Sequence, residues 1–237
     1  MDIGKAITFP ADDEKWFSKL IIGAIVTAIP IVNFAWMGYM IDILRNVMAG
    51  YDKPLPEWGD FGQKFVEGLL LWLATFIYGI PAFILACIPL FMIGVGGVAA
   101  EGADFQETLL GIFTGVGALF GCLILLYSLL VSFYLPALTI NFARKGNFGS
   151  CFEFSKIFAI VSSDLGKYIT AWLVAIVAAI VLGVVVSVVG TALSIIPCIG
   201  WIIAWVFYAI AGVWISTISA HLFGQYGAAQ AAESEVF

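Results

Sequence analysis

The chain reads as an all-α protein, a polytopic transmembrane helical bundle, and three observations predict it. Three stretches, Gly68–Ala100, Thr108–Ala143 and Tyr168–Ala232, contain no Asp, Glu, Lys or Arg, and His221 alone interrupts the last. Each is longer than the ~18–20 apolar residues that span a hydrocarbon core. The composition agrees: 62% hydrophobic and 11% charged, with mean hydropathy +1.07, where average globular chains carry roughly a quarter charged residues. The ten Lys and Arg cluster outside these stretches. A soluble domain has to wet its outer helix faces, and these segments have no wet face to offer.

The first apolar segment, within residues 17–48, is broken near its middle by Pro30 and Asn33. It is either a fifth span or a hairpin that dips in and returns. Short cytoplasmic loops are enriched in Lys and Arg. If the segment returns, Lys5, Lys15 and Lys19 before it share the cytoplasmic side with Arg45, Lys53 and Lys64 after it. If it spans once, the first three lie outside. The hairpin fits the rule better. A faint repeat supports it: Ile29-Pro30-Ile31-Val32-Asn33-Phe34 resembles Ile196-Pro197-Cys198-Ile199-Gly200-Trp201, where the proline opens a helix at no hydrogen-bonding cost. Read that way, a returning helix begins at Phe34.

Residues 50–66 form a proline-rich connector that places Trp58 at the interfacial level. Spans follow at 68–93, which contains Pro81 and Pro89, and at 109–138, which contains Pro136. Membrane helices tolerate such prolines because neighbours re-satisfy the freed backbone groups. The connector 142–166 carries Phe148, Phe152, Phe154, Ile157, Phe158 and Val161 at helical spacing, an amphipathic pattern suited to packing beneath the bundle. The remaining spans are 168–189 and 198–222, and residues 225–237 read as a loose tail. The whole, 1–237, is one integral membrane domain. Glu101–Glu107 and Thr191–Ser194 read as loops without Lys or Arg. The start carries Asp12, Asp13 and Glu14 where a secretory signal would place positive charge.

Several short patterns carry a family resemblance. They are Ile29-Pro30 through Gly38-Tyr39, Arg45-Asn46-Val47, Leu55-Pro56-Glu57-Trp58 followed by Gly68-Leu69, and Tyr78-x-x-Pro81. Leu135-Pro136-Ala137, Phe142-Ala143-Arg144 and the Phe152–Phe158 stretch continue the series. In this order they resemble the DUF4013 family, multi-pass membrane proteins of prokaryotes, many of them archaeal. The resemblance implies a membrane protein of uncharacterised function and brings no catalytic residue with it.

Candidate chemistry is sparse. Ionisable or strongly polar groups inside membranes are costly and draw functional attention. Two stand out: Asn33 at the proline break, and His221, the single histidine, at the end of the last span. The ordinary reading makes Asn33 the cap of the following half-helix and His221 an interfacial anchor within reach of water. The functional reading makes Asn33 a coordinating group, as in the broken helices of transporters. Asp42 and Arg45 are spaced to pair on one helix face, Glu67 sits just before a span and close in sequence to Lys64, and both pairs read as interfacial anchors. Gly111-x-x-x-Gly115 and Gly117-x-x-x-Gly121 are small-xxx-small patterns expected to pack closely, within the bundle or between subunits.

Cys87, Cys122, Cys151 and Cys198 form no Cys-x-x-Cys pair or zinc spacing. No nucleophile triad, paired intramembrane carboxylates or phosphate loop is present. The sequence therefore predicts no enzyme and no cofactor. Nucleic acid is not an expected partner, because no basic stripe exists. The expectation is a structural or accessory membrane subunit whose partners are membrane lipids and other membrane subunits or further copies of itself. The alternative is a small transporter or oligomeric channel using broken helices at Pro30/Asn33 and Pro197. The expected location is the cell membrane, with both termini cytoplasmic.

Overall fold

A computed structural model describes residues 1–99, 103–196 and 199–234, except the side chains of 92–99, 103–113 and 233–234. Among these residues the chain forms eight α-helices. They are α1 (Ile3–Thr8), α2 (Trp16–Ala28), α3 (Phe34–Met48), α4 (Phe61–Ala99), α5 (Ala103–Lys145), α6 (Phe154–Ser163), α7 (Leu165–Ser194) and α8 (Ile199–Ser234). Short 3₁₀ turns lie at Phe9–Asp12 and Phe148–Phe152. Helices α4, α5, α7 and α8 are each long and apolar enough to cross a membrane.

The chain divides into two units. The first, Met1–Trp72 with Pro136–Phe237, is built around α8. Helix α2 runs against α8 in the opposite sense: Trp16 meets Trp214 with ring centroids 6.0 Å apart, and Ala28 and Ile29 lie beside Trp205 and Val206. The chain turns at Ile29–Asn33 and α3 comes back along α8 in the same sense. The Trp36 indole donates to Ser216 at 3.0 Å, and Val47 and Met48 lie against Gly224 and Gly227. Thus α2 and α3 form a helical hairpin. Helix α7 is antiparallel to α8, with Tyr168 beside Tyr226 at one end (5.2 Å) and Gly190 against Tyr208 at the other.

Local chemistry explains several boundaries. The Asp2 side chain caps α1 by accepting from the Lys5 amide at 2.9 Å, and Asp164 caps α7 by accepting from the Lys167 amide at 2.9 Å. Pro136 lies inside α5. The next amide, Ala137 N–H, donates to the Tyr168 hydroxyl at 3.2 Å, so a neighbouring helix satisfies a group beside the proline break. Gly38 and Gly68 let α3 and α4 touch at the backbone: a Cβ on Gly38 would fall within the Lys64 carbonyl, and one on Gly68 within the Phe34 carbonyl. Only glycine permits that approach.

Some elements depart from the sequence expectation. Residues 225–237 are not a loose tail where described: α8 continues to Ser234, and Tyr226 is buried at 3% exposure. The alanines there favour helix, and contacts from the N-terminus and α5 hold the segment. Helix α4 starts at Phe61, inside the expected connector 50–66. Helix α5 starts at Ala103, so most of the expected Glu101–Glu107 loop is helical, while residues 101 and 102 lie outside the described residues. Thr191–Ser194 belongs to α7. Without Gly or Pro there, nothing in 191–194 stops the helix.

The second unit, Leu73–Leu135, comprises the C-terminal part of α4 and the N-terminal part of α5. Its described surface is almost wholly apolar, with Phe83 71%, Phe91 73% and Leu130 64% exposed. Within it the Tyr127 hydroxyl donates to the Tyr78 carbonyl at 2.7 Å.

Candidate functional site at the helical hairpin

The hairpin has a polar base and an apolar tip. At the base, the charges that the sequence paired helix by helix are joined across helices. Arg45 bridges Asp42 (3.2 Å) and Glu67 (2.5 Å), Lys64 reaches Asp42 (3.1 Å), and the Arg45 Nε–H donates to the Ala143 carbonyl (2.9 Å). A second group joins Lys19 to Asp13 (2.8 Å), Glu57 (3.2 Å) and the Leu55 carbonyl (3.0 Å). Burial opposes the charge on Asp13. The hydrogen bonds from Lys19 and the Lys15 amide outweigh it and hold the carboxyl below its ordinary value.

Aromatic rings tie the two groups together. Trp36 stacks on Tyr39 (5.0 Å) and Tyr39 on Trp58 (4.5 Å). The Tyr39 hydroxyl donates to the Pro56 carbonyl and the Trp58 indole to the Lys19 carbonyl, each at 2.9 Å. Asn46 donates to the Pro54 carbonyl at 2.9 Å. Trp58, partly buried, is thus held by α2 and α3. Proline at positions 54 and 56 keeps this loop extended, which leaves its carbonyls free to accept those bonds. Most of the short patterns behind the family resemblance meet here.

At the tip, Asn33 does not cap α3. Its backbone is already helical (φ −56°, ψ −21°), and its side chain makes no capping bond. A capping side chain needs extended backbone to reach back to the N2 or N3 amide. Asn33 is exposed, and its neighbour Ile31 adopts φ 72°, a conformation β-branched residues rarely take. Two grooves flank α2 where it meets α8. One, ≈ 360 Å³, is lined only by apolar residues, including Ile21, Ala24, Ile25, Trp205 and Val206. The other, ≈ 430 Å³, carries Thr27, Tyr208 and Ser216.

His221 is not within reach of interfacial water. It is 3% exposed, stacks on Phe9 at 4.4 Å, and faces the Gln225 amide nitrogen at 2.9 Å. That amide nitrogen also donates to the Asp2 carbonyl, while the Gln225 oxygen accepts from the Asp2 amide. Phe9 of the first 3₁₀ turn and Asp2 at the N-cap of α1, reached through Gln225, bring the chain's start to the histidine, an arrangement no local pattern announces. Near the other connector, Asn141 donates to the Ser150 carbonyl (2.8 Å) and to Glu153 (3.0 Å), and Lys145 pairs with Glu153. The Lys145 bond, then the Asn141 bond, keep Glu153 below its ordinary value.

Of the helix-packing glycines expected from sequence, Gly115, Gly117 and Gly121 face open space among the described residues. Gly111 lies where side chains are outside the described residues. Among the described residues close approaches lie at Gly23, Gly38, Gly68, Gly190, Gly200, Gly224 and Gly227. Of these, Gly38 and Gly68 stand in the patterns that carry the family resemblance. Cys151 is buried, which pushes its thiol up to about 11, and Cys87 and Cys122 are free. Cys198 and Pro197 lie outside the described residues. Among the described residues no three His, Cys, Asp or Glu gather as a metal site.

No curated protein and no solved structure matches the chain. The sequence profile of DUF4013, a family described as proteins of unknown function, matches residues 21–191. The match runs from within α2 through α3, the Arg45 group of the base and the helices as far as most of α7. With more than half of its length matched, the chain belongs to the DUF4013 family.

Proposed function

We propose that this membrane protein is an accessory or structural subunit of the cell membrane, without enzymatic activity, acting through contacts with lipid and with other membrane helices. One observation carries the reading. The charged groups packed among the helices, Asp13, Lys19, Asp42, Arg45, Lys64 and Glu67, are each bonded to one another or to backbone. None is left aimed at a substrate. What remains on offer is apolar: long exposed faces on α4, α5, α7 and α8 and the groove beside α2.

The orientation we propose places both termini and both basic connectors in the cytoplasm. It is supported by bonds that gather the basic segments around one end of α8. Gln225 of α8 binds Asp2, Arg144 donates to the Gly227 carbonyl, and Lys53 reaches Glu14 at 3.4 Å. The positive-inside tendency then assigns that end to the cytoplasm.

The alternative, a small transporter or oligomeric channel, draws on the exposed carboxamide of Asn33. A carrier needs groups near mid-membrane that replace lost hydration. Reconstitution into liposomes with ion and small-solute flux assays decides between the two. The accessory role predicts no selective flux. Selective flux that disappears in Asn33→Leu would overturn it.

A further inference from the structure

Helix α6 is covered by the rest of its unit on part of its apolar side only. Ile157, Ile160 and Val161 are buried, whereas Phe154 and Phe158, one turn apart at the edge of that side, are 58% and 65% exposed. Ser155, Lys156, Ala159 and Ser162 make up the other, exposed side. Both ends of the helix are tied to one level of the first unit. At its start, Asn141 of α5 donates to the Ser150 carbonyl and to Glu153. At its end, Tyr226 of α8 donates to the Ile160 carbonyl and meets the Ser163 hydroxyl at 3.0 Å. Arg144, within a turn of Asn141, donates to the carbonyl of Gly227, the neighbour of Tyr226. Helix α6 therefore lies across α5 and α8 at this level and does not run away from them. Charge marks what the level is. The charge-free run of α5 ends at Arg144, and that of α7 begins after Lys167, at Tyr168, which packs on Phe223 and Tyr226. Where α5 and α7 cross a bilayer, the level at which both regain charge is its headgroup layer.

We infer that α6 is a membrane-surface anchor: Phe154 and Phe158 enter an anionic headgroup layer, and Arg144, Lys145 and Lys156 meet its phosphates. The inference rests on the membrane reading above and names the lipid surface involved. Continuity supports it, because Asp164 alone separates α6 from α7, whose Leu165, Ile169 and Leu173 are themselves 50%, 39% and 48% exposed. Charge supports it independently. Among the described residues, Lys145 and Lys156 share the one carboxylate of Glu153, and Arg144 has no acidic partner. Lys167 is balanced by Asp164 at 2.7 Å, so this corner of the fold keeps an excess of positive charge. Helices with an aromatic apolar side and basic residues bind in the plane of the headgroups. Each cation held near an anionic leaflet strengthens that binding, and long basic side chains reach the phosphates while their stems lie on apolar surface.

Nitroxide labelling tests the inference on the full chain, freed of Cys87, Cys122, Cys151 and Cys198, in nanodiscs of mixed phosphatidylcholine and phosphatidylglycerol. Molecular oxygen reports apolar surroundings, and a water-soluble nickel chelate reports aqueous ones. At Phe158→Cys, oxygen should relax the label more than nickel does. At Ser162→Cys, on the other side of α6, the order should reverse. Val177→Cys, 56% exposed within the charge-free run of α7, should meet oxygen alone. In pure phosphatidylcholine, the oxygen-to-nickel ratio at Phe158→Cys should fall roughly twofold or more. A nickel-dominated label at Phe158→Cys, with Val177→Cys still in lipid, would overturn the anchor and leave the membrane reading standing. Shielding of Phe158→Cys from both reagents would also overturn it, in favour of protein cover. An equal ratio in the two lipid compositions would remove the anionic partner. Nickel access at Val177→Cys would sink the membrane reading itself.

Discussion

The two units of this protein are held in different ways. In Met1–Trp72 with Pro136–Phe237, charged side chains, ring stacks and backbone-to-backbone glycine contacts specify which helix meets which. In Leu73–Leu135, two long helices present Phe83, Leu90, Leu126 and Leu130 outward, and the described glycines Gly115, Gly117 and Gly121 face nothing. The first unit is specified by its own chemistry, the second by its solvent. Lipid tails are as apolar as leucine, so they give no drive to bring such faces together, and contacts there need small residues or hydrogen bonds. The family match spans both units.

The contrast breaks most visibly at glycine. Gly68→Leu forces a side chain into the Phe34 carbonyl and should abolish stable accumulation or cost about 3 kcal/mol or more, the upper range for overpacking. Gly115→Leu, with open space around it, should leave the melting temperature within a degree or two. Thermal unfolding in detergent compares the pair. If both collapse equally, the second unit packs as tightly as the first.

Next in size is the ionic base. Arg45→Met strips Glu67 of its cation and removes the bond to the Ala143 carbonyl. Uncompensated buried charges cost about 3–5 kcal/mol, and the partial exposure here points to the lower end. The double variant Arg45→Met, Glu67→Met should recover much of that loss. Chemical denaturation monitored by the tryptophans at the base gives the ordering, and additive losses would show that the two residues do not act as a pair.

The smallest effect is a pH dependence. The Asp13 carboxyl is held below 3.8 in the folded chain. Its contribution is therefore fully present above that value and fades as pH falls through the lower, folded value. Melting temperature should decline in this acid range, and Asp13→Asn should flatten the decline. An unchanged slope in the variant would assign the acid sensitivity to other carboxylates.

Much of this was legible in the sequence, and for identifiable reasons. Spans declare themselves by missing charge, so all four long helices were readable, as was the break at Pro30. The Asp42–Arg45 pair was visible because helical spacing is local, whereas Lys64 and Glu67 make their ion pairs with Asp42 and Arg45 and not with each other. That union was not legible, since it depends on α3 crossing α4 at Gly38 and Gly68. His221 was misjudged for the same reason: Phe9 and Asp2, its cover, are more than two hundred residues away in sequence. Asn33 looked like a cap because its type and place suit one, and only its helical backbone denies it. The continuation of the final helix into residues 225–234 was missed because small and polar residues resemble a tail until tertiary partners such as Arg144 are known.

The central claim is that the first apolar segment returns to the side from which it entered. Glu14 and Asp52 flank the hairpin, both are exposed, and Glu14 pairs with Lys53. In a cysteine-free background, Glu14→Cys and Asp52→Cys should both resist an impermeant thiol reagent in intact cells, and both should react in inverted membrane vesicles. Labelling of Glu14→Cys from outside, with Asp52→Cys protected, would make the segment a single span and contradict the hairpin.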